Sequence, residues 1–593
     1  MPAPVLGWGM ATLRPFAPGS ILMVDFRIYR AAFLPTVVAL IALAFSLEGV
    51  PDPLEPELSP AGFEPQRTER TAREIAELAP SRPPGSEGDA AVAELVEQRF
   101  SDVEGGEVSE QRFDSSYEGE DVSLRNVILT LPGQTERTLV VIAGRDSPAG
   151  PGAASSAAAT AVLIELAEVL GTFDHSKTIL LVSTDGASDG ASGARELVGS
   201  FPEPEMIEEV LVLAQPGAAD PSQPYLVTSA TSDRSTSIQL VRTAERAVQE
   251  VVGTAPELDG PLQGLARLAL PAGLGEQAVL IDDGLDAVAI SSAGERPLAV
   301  DEDGPGDLSG ETLGDFGSAA LTAVLALDAA TTPLEHGPDA YLIAGDNLVP
   351  AGTLGLLAMA LLLPPAIAAI DALARAARRR FGPGPALVWA GSLALPLLAA
   401  LLTLYLMGLL GLVPRPRFPF DPALFGVGLS EIVAMALLVG IAVAGYAWLG
   451  LLRAPAGADP DTLPPALGLF LCIAAVVVWL VNPLFALLLV PIAHVWLIAT
   501  ARRRLPRVGL AAAVALALVP AALAALASAG AIGAGAWDLV LMVADGQIPS
   551  PLVVALCPIA GCLLGLVASA RDRKYGREGA SENRAWPGRG EAA

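Results

Sequence analysis

The chain has 593 residues, 52% of them hydrophobic, with 65 acidic against 36 basic side chains. Its mean hydropathy of +0.50 excludes an ordinary soluble protein, and a formal charge of −29 argues against nucleic acid and against docking on anionic lipid. The two properties are segregated: residues 51–335 carry 50 acidic and 16 basic groups and residues 336–593 carry 13 and 17, which predicts an acidic water-facing domain joined to a mildly basic membrane domain.

In chain order, residues 1–30 read as a cytoplasmic N-terminus. Residues 1–22 show no organised pattern, so Met23 is a candidate start. Residues 31–49 read as a transmembrane anchor. Arg27 and Arg30 precede the apolar stretch, and Leu47-Glu48-Gly49-Val50-Pro51 is a poor small-x-small cleavage site, which favours an uncleaved anchor over a signal peptide. Residues 55–330 form the water-facing domain. Helical periodicity over 68–101 breaks at Ser81-Arg82-Pro83-Pro84-Gly85-Ser86. Strand-like runs follow at 126–131, 138–143, 178–183, 210–214 and 287–290, alternating with helices over about 156–170, from Ser192, and over about 311–329. This alternation predicts an α/β three-layer sandwich around a mostly parallel sheet, with the site at the carboxyl ends of its strands. The domain has no cysteine; Cys472, Cys557 and Cys562 all fall in later apolar runs.

Residues 331–346 read as a linker, 347–571 as a seven-helix transmembrane domain and 572–593 as a cytoplasmic tail. The spans expected are 348–371, 385–412, 424–451, 465–481, 484–500, 508–531 and 550–570, eight with the anchor. Basic groups then fall on one side: Arg27 and Arg30; Arg375, Arg378, Arg379 and Arg380; Arg502, Arg503, Arg504 and Arg507; Arg571, Arg573, Lys574 and Arg577. This is the positive-inside pattern, and it places both termini in the cytoplasm and the acidic domain outside; the plasma membrane is the expected location. Arg415 and Arg417 are a minor violation. The two short spans split at Asn482-Pro483 could instead be one long broken helix, which would put the C-terminus outside. Glu431 is expected to reach the interface and His494 to hydrogen-bond within the bundle.

Several ordered blocks of the acidic domain carry a resemblance. Arg82-Pro83-Pro84-Gly85-Ser86 is similar to an R-x-PGS run. Arg125-Asn126-Val127-Ile128 with Leu131-Pro132-Gly133 is similar to an RNVI…LPG strand. Residues 140–147 end in Gly144-Arg145-Asp146-Ser147 where AHYDS would end a strand. Residues 152–167 run in step with GADDNASGVAALLELA, and 185–195 in step with DGEEQG..GSR. Together they resemble metallopeptidase family twenty-eight, the two-zinc aminopeptidases and glutamate carboxypeptidases, over some 240 residues.

That resemblance implies a zinc-aminopeptidase-type fold and two zincs held by histidines and carboxylates. The chain departs from it at the ligands. Gly144 stands at the first histidine, Ser155 (after Ala154) at the bridging aspartate, Ala187 and Ser188 at the base and ligand glutamates, Ala214 or Gln215 at the next aspartate, and Gln277 at the last histidine. Asp146 remains, and in the family it orients a ligand. Glycine and alanine offer no ligand side chain, and serine and glutamine are poor zinc ligands, so neither a catalytic residue nor a cofactor is expected. Ser155, Ser156 and Ser188 would need a base to act as nucleophiles; His175 and Lys177 precede a strand and so lie at its wrong end. Asp301-Glu302-Asp303 and Asp282-Asp283 are expected to be solvated loops rather than calcium sites. The expectation is a membrane-bound pseudopeptidase with a binding or scaffold role and a protein or peptide partner outside the cytoplasm; the alternative is an active membrane-bound zinc aminopeptidase. The layout is similar to that of the endoplasmic-reticulum membrane metallopeptidases and of the peptidase-like subunit of the GPI-anchor transamidase.

Overall fold

The computed structural model describes residues 25–56, 62–117, 119–219, 221, 224–379, 382–420, 422–455, 458–500 and 506–569. The candidate start at Met23, the tail 572–593, Arg380, Arg502, Arg503, Arg504 and the basic group from Arg571 to Arg577 lie outside the described residues.

Helices α1 (Phe26–Ala31) and α2 (Leu34–Phe45) carry the N-terminal apolar run and lead to strand β1 (Glu48–Gly49). The acidic domain follows as α3 (Pro65–Leu78), α4 (Glu87–Ser101), β2 (Glu107–Tyr117), β3 (Glu120–Leu131), β4 (Thr138–Gly144), α5 (Ser156–Leu170), β5 (Thr178–Thr184), α6 (Ser192–Gly199), β6 (Ile207–Leu213), β7 (Tyr225–Val227), α7 (Ile238–Val252), α8 (Pro261–Ala269), α9 (Glu276–Asp282), β8 (Ala287–Ser291) and α10 (Gly310–Asp328). Local chemistry sets the helix starts: the hydroxyls of Ser86, Ser237 and Ser309 accept from backbone N–H groups in the first turns of α4, α7 and α10, and Pro65 and Pro261 open α3 and α8.

The seven strands lie in the order β2-β3-β5-β4-β6-β8-β7. The expectation of a mostly parallel sheet is corrected here. β5, β4, β6 and β8 are mutually parallel, but β2–β3, β3–β5 and β8–β7 are antiparallel, and the antiparallel ladders hold more of the paired positions. The physical reason is a long hairpin: β2 and β3 pair over their whole lengths through a tight turn with Gly119 at φ +86°, a connection open only to antiparallel strands. β2 gives little sign of itself in the sequence, because it is a polar edge strand without an apolar run.

Inner strands are buried on both faces. Leu139, Val141 and Ala143 of β4 pack with Leu211 of β6 against α3, α4, α5, α7 and α10, while Val140 and Ile142 pack with Val210 and Val212 against α6 and α9. Side chains alternate across the pleat, and each fully buried aliphatic contributes about 1.5–3 kcal/mol.

A second sheet, β1-β10-β9, ties the domain to the membrane part. β9 (Tyr341–Ala344) falls within the segment read as a linker, and β10 (Asn347–Pro350) pairs with β1. The exit from the anchor and the entry to the helix bundle therefore lie side by side. Below them Thr36 donates to the Ala360 carbonyl at 3.2 Å.

The bundle comprises α11 (Ala351–Arg378), α12 (Gly384–Ser392), α13 (Leu395–Leu409), α14 (Leu429–Trp448), α15 (Leu463–Val481), α16 (Pro483–Ala499), α17 (Arg507–Ala531), α18 (Ala536–Asp545) and α19 (Ser550–Ser569). Among the described residues, seven helical segments are long and apolar enough to cross a membrane: 27–45, 351–378, 384–409, 429–448, 463–481, 507–531 and 550–569. The shorter α16 is also apolar and extends about 25 Å. α15 and α16 are two helices folded back on each other, not one broken helix. Cys472 and Ala475 of α15 pack with Ala493 of α16, and Gly468 lies under the Trp496 ring; both contacts are near-symmetric about Asn482.

Asn482 makes this reversal. Its backbone is extended, its Oδ1 accepts from Phe485 N at 2.8 Å to cap α16, and its Nδ2 donates to the Leu268 carbonyl of α8 at 2.8 Å. Asn482→Ala removes a cap and a buried hydrogen bond, and is expected to cost about 1–2 kcal/mol. A lower thermal midpoint of the detergent-solubilised protein would register the loss.

His494 hydrogen-bonds within its own helix, its Nδ1 lying 2.9 Å from the Val490 carbonyl one turn back. Glu431 is exposed and caps the start of α14 by accepting from Gly428 N.

Candidate functional site

The loops following the parallel strands converge on one cavity of about 260 Å³. β4 ends at Gly144 and delivers Asp146; the loop after β5 delivers Ala187 and Ser188; the end of β6 delivers Ala214 and Gln215; Ser155 immediately precedes α5; and Gln277 lies in the first turn of α9. Asp146, Ser155, Ala187, Ser188, Ala214 and Gln277 all line the cavity. Gly144 lies beneath it. A Cβ built there would stand 2.5 Å from Ala187 Cβ and 3.3 Å from Glu276 Oε2. The remaining wall is largely apolar, from Val227, Leu274, Leu298, Val300, Phe420 and Leu424.

The carboxylates in and beneath the cavity are already engaged. Asp146 accepts from Ala187 N at 2.7 Å, Ser188 N at 3.0 Å and the Ser188 hydroxyl. Burial still raises it above the usual carboxylate range. Asp303 accepts from Ala154 N at 2.8 Å, Ser155 N at 3.1 Å and the Ser155 hydroxyl, which places it at the start of α5, where the helix dipole favours an anion. It is therefore a structural anchor, and the solvated acidic loop expected around it is corrected at this residue. Glu295 accepts from the Ser229 hydroxyl and from Leu274 N, and pairs with Arg267 at 2.5 Å. Glu276 is fully buried under Gly144; Thr184 Oγ1 donates to it at 2.6 Å, and burial pushes it up to about 7.

Two buried arginines support this floor. Arg82, from the Pro-Gly-rich run, donates to the carbonyls of Arg145, Ala79 and Pro151 and to the Ser156 hydroxyl. Arg145 donates to the Ser183 carbonyl and pairs with Asp89 at 2.7 Å and Asp185 at 3.3 Å. Buried guanidinium groups held this way fix loop geometry, and removing one partner is far costlier than the pair is worth.

These residues do not fit a two-zinc centre. Among the described residues no group of three His, Cys, Asp or Glu side chains could hold a metal ion. His175 bonds Asp328 and the Leu170 carbonyl near the opposite strand ends, His336 lies by Asp286, and His494 is in the bundle. A serine nucleophile is no better served, since the hydroxyls of Ser155 and Ser188 are spent on Asp303 and Asp146, and Ser156 accepts from Arg82.

One wall comes from the membrane part. Pro419, Phe420 and Leu424, between α13 and α14, reach the cavity. Gly190 N donates to the Pro419 carbonyl at 3.0 Å, Asp189 and Phe420 form an antiparallel bridge, and Arg417 donates to Ser115 at 2.7 Å. Burial lifts Asp189 to about 6 against the pull of Arg417. Arg415 donates to the Ala544 carbonyl at 3.1 Å. The two arginines that violate the charge pattern are thus the ones docked on the acidic domain and on α18, and that violation was the one signal of this wall in the sequence. Gln215 is a second feature the sequence hid. It holds a left-handed backbone, φ 49°, while its side chain clasps Arg296 O and Leu298 N, strain of a kind that clusters at binding sites.

Residues 126–263 match the model of Peptidase family M28. The acidic domain is M28-peptidase-like. No curated protein matches the chain. Solved structures similar to the M28-like domain include glutaminyl cyclase from an Acidobacteriales bacterium, at 19% identity over 46% of this chain and 97% of that one, with TM-score 0.39. They also include BSAP, a zinc aminopeptidase from Bacillus subtilis, at 14% over 47% and 98%, with TM-score 0.38. LapB from Legionella pneumophila matches at 16% over 50% and 81%, with TM-score 0.38.

Proposed function

We propose that this is a multi-pass membrane protein whose M28-like domain lies outside the cytoplasm and acts as a non-catalytic binding or scaffold module. The observation that carries the reading is the repacking at Gly144: the space a ligand side chain would need is filled by Ala187, in a cavity whose remaining carboxylates are held by backbone N–H groups. An apolar pocket with hydroxyl and amide groups on its walls suits a peptide or protein segment. Loss of ligands with retention of fold is similar to the GPI-transamidase subunit and unlike the endoplasmic-reticulum metallopeptidases.

The folded-back pair α15–α16 supports an even number of crossings, which with the basic clusters favours both termini in the cytoplasm; the plasma membrane is the proposed site. The docking of Arg415 and Arg417 on the outer parts removes the objection they raise to that orientation. The second reading, an active zinc aminopeptidase, draws on the family match at 126–263.

The intact protein, purified in detergent, is expected to carry zinc well below one per chain and to release no amino acid from peptides in a chelator-sensitive way. Stoichiometric zinc with chelator-sensitive hydrolysis would establish the second reading instead. For orientation, Ser200→Cys is expected to react with an impermeant maleimide on intact cells, and Gly382→Cys only after permeabilisation. The reverse pattern would invert the topology.

A further inference from the structure

A second cavity, of about 200 Å³, lies where the M28-like domain meets the ends of the bundle helices. Its wall is mostly apolar, with Leu270 from the domain and Val481 at the α15–α16 reversal, Ala529 at the end of α17, Met542 of α18 and Leu552 of α19 from the bundle. Polar groups come from both parts: Thr231, Ser232 and Asp233 from the domain, and Asn482, Ser528 and Gln547 from the bundle. The placement is fixed by hydrogen bonds that join the two parts around it: Asn482 to Leu268 O, Ser528 to Ala266 O and Gln547 to Thr231 O.

Those bonds also show which polar groups remain to meet a ligand. Asn482, Ser528 and Gln547 are engaged. Ser232 Oγ is buried with no hydrogen-bond partner among the described residues. Asp233 is half-buried and makes no ion pair among them. Asp233 is the one charged residue of the lining, and no Lys or Arg joins it. A phosphate or sulfate head would meet a carboxylate, with no Lys or Arg on the cavity wall; Arg234, the next residue, acts on Asp233 from outside the lining. An ammonium head would meet a carboxylate able to accept from it.

We propose that this cavity binds an amphiphile with an amine head, its nitrogen at Asp233 and its chain among the apolar helix ends. The volume holds the head and the first part of a chain. The rest leaves past Leu539, which lines the cavity and is 39% exposed. The position at the junction of a water-facing domain with membrane helices is where such a molecule lies with its head wet and its chain dry.

The test uses the intact protein in maltoside micelles with two probes of equal chain length, a photoreactive dodecylamine and a photoreactive dodecyl sulfate. After irradiation, peptides are mapped by mass spectrometry. The amine is expected to label segments 525–532 and 539–552, about tenfold over the sulfate. Asp233→Asn is expected to remove that preference, and Ala529→Trp, which fills the cavity, to remove the labelling itself. Equal labelling by the two probes in the wild-type protein would overturn the proposal without recourse to any variant. So would labelling spread evenly over the lipid-facing surfaces of α2 and α14.

Discussion

Glu276→Gln is expected to leave the acidic domain as stable as the parent at pH 4.5 and about 3 kcal/mol more stable at pH 8. The carboxyl of Glu276 is fully buried beneath the site and raised from 4.5 to about 7, burial being the larger cause and the Thr184 hydrogen bond opposing it. A group whose pKa is raised on folding binds its proton more tightly in the native state. Its contribution is therefore complete below pH 4.5 and is lost as pH rises through about 7. Glutamine keeps the shape and the acceptor for Thr184 without the proton, so its stability does not fall over that window. Glu209, raised to about 7, and Asp185, raised by burial against the pull of Arg145, act with the same sign, so the variant should retain a shallower decline. Urea unfolding of the domain within the intact protein, followed by far-ultraviolet circular dichroism at the two pH values, measures the difference. Parallel pH profiles for parent and variant would sink the assignment.

Glu276 also shows where reading from sequence stops. Gln277 was placed by its step in an aligned block, and it lies in the cavity wall. Its neighbour, one residue earlier and about 100° round the same helical turn, enters the core under Gly144. Nothing in the local pattern distinguishes a buried glutamate from a solvated one, because the groups that receive it, Thr184 and the floor around Gly144, come from β4 and β5. The inner strands were legible for the opposite reason: both their faces are buried, so they are near-continuous apolar runs whatever they pair with. Pairing direction was not legible. β3 looks like any buried strand, and nothing in its own residues shows that it runs antiparallel both to its polar edge partner β2 and to β5, or that β7 runs antiparallel to β8. The wall formed by Pro419, Phe420 and Leu424 required joining a membrane loop to strand ends more than 200 residues earlier; charge patterning recorded it as an anomaly at Arg415 and Arg417 without saying what they touch.

Gly144→His, made alone or with Gln277→His, is expected to destabilise the domain by about 3 kcal/mol or more and to bind no zinc. The first added carbon already stands 2.5 Å from Ala187 Cβ, and the imidazole would extend toward Glu276 in a closed, buried space. Gly144→Ala isolates the steric part. It should cost about 1–3 kcal/mol, and Ala187→Gly in the same chain should recover most of that, because Ala187 supplies the closest atom. The pair then shows a coupling of about 1–3 kcal/mol in a double-mutant cycle, measured by urea unfolding of the intact protein. If the two substitutions are additive, the cavity floor has slack and the site is only short of ligands. If they couple as the 2.5 Å separation requires, loss of the side chain at 144 and the inward seat of Ala187 are one packing arrangement. A zinc site could then be rebuilt only by remaking the floor as well as the ligands.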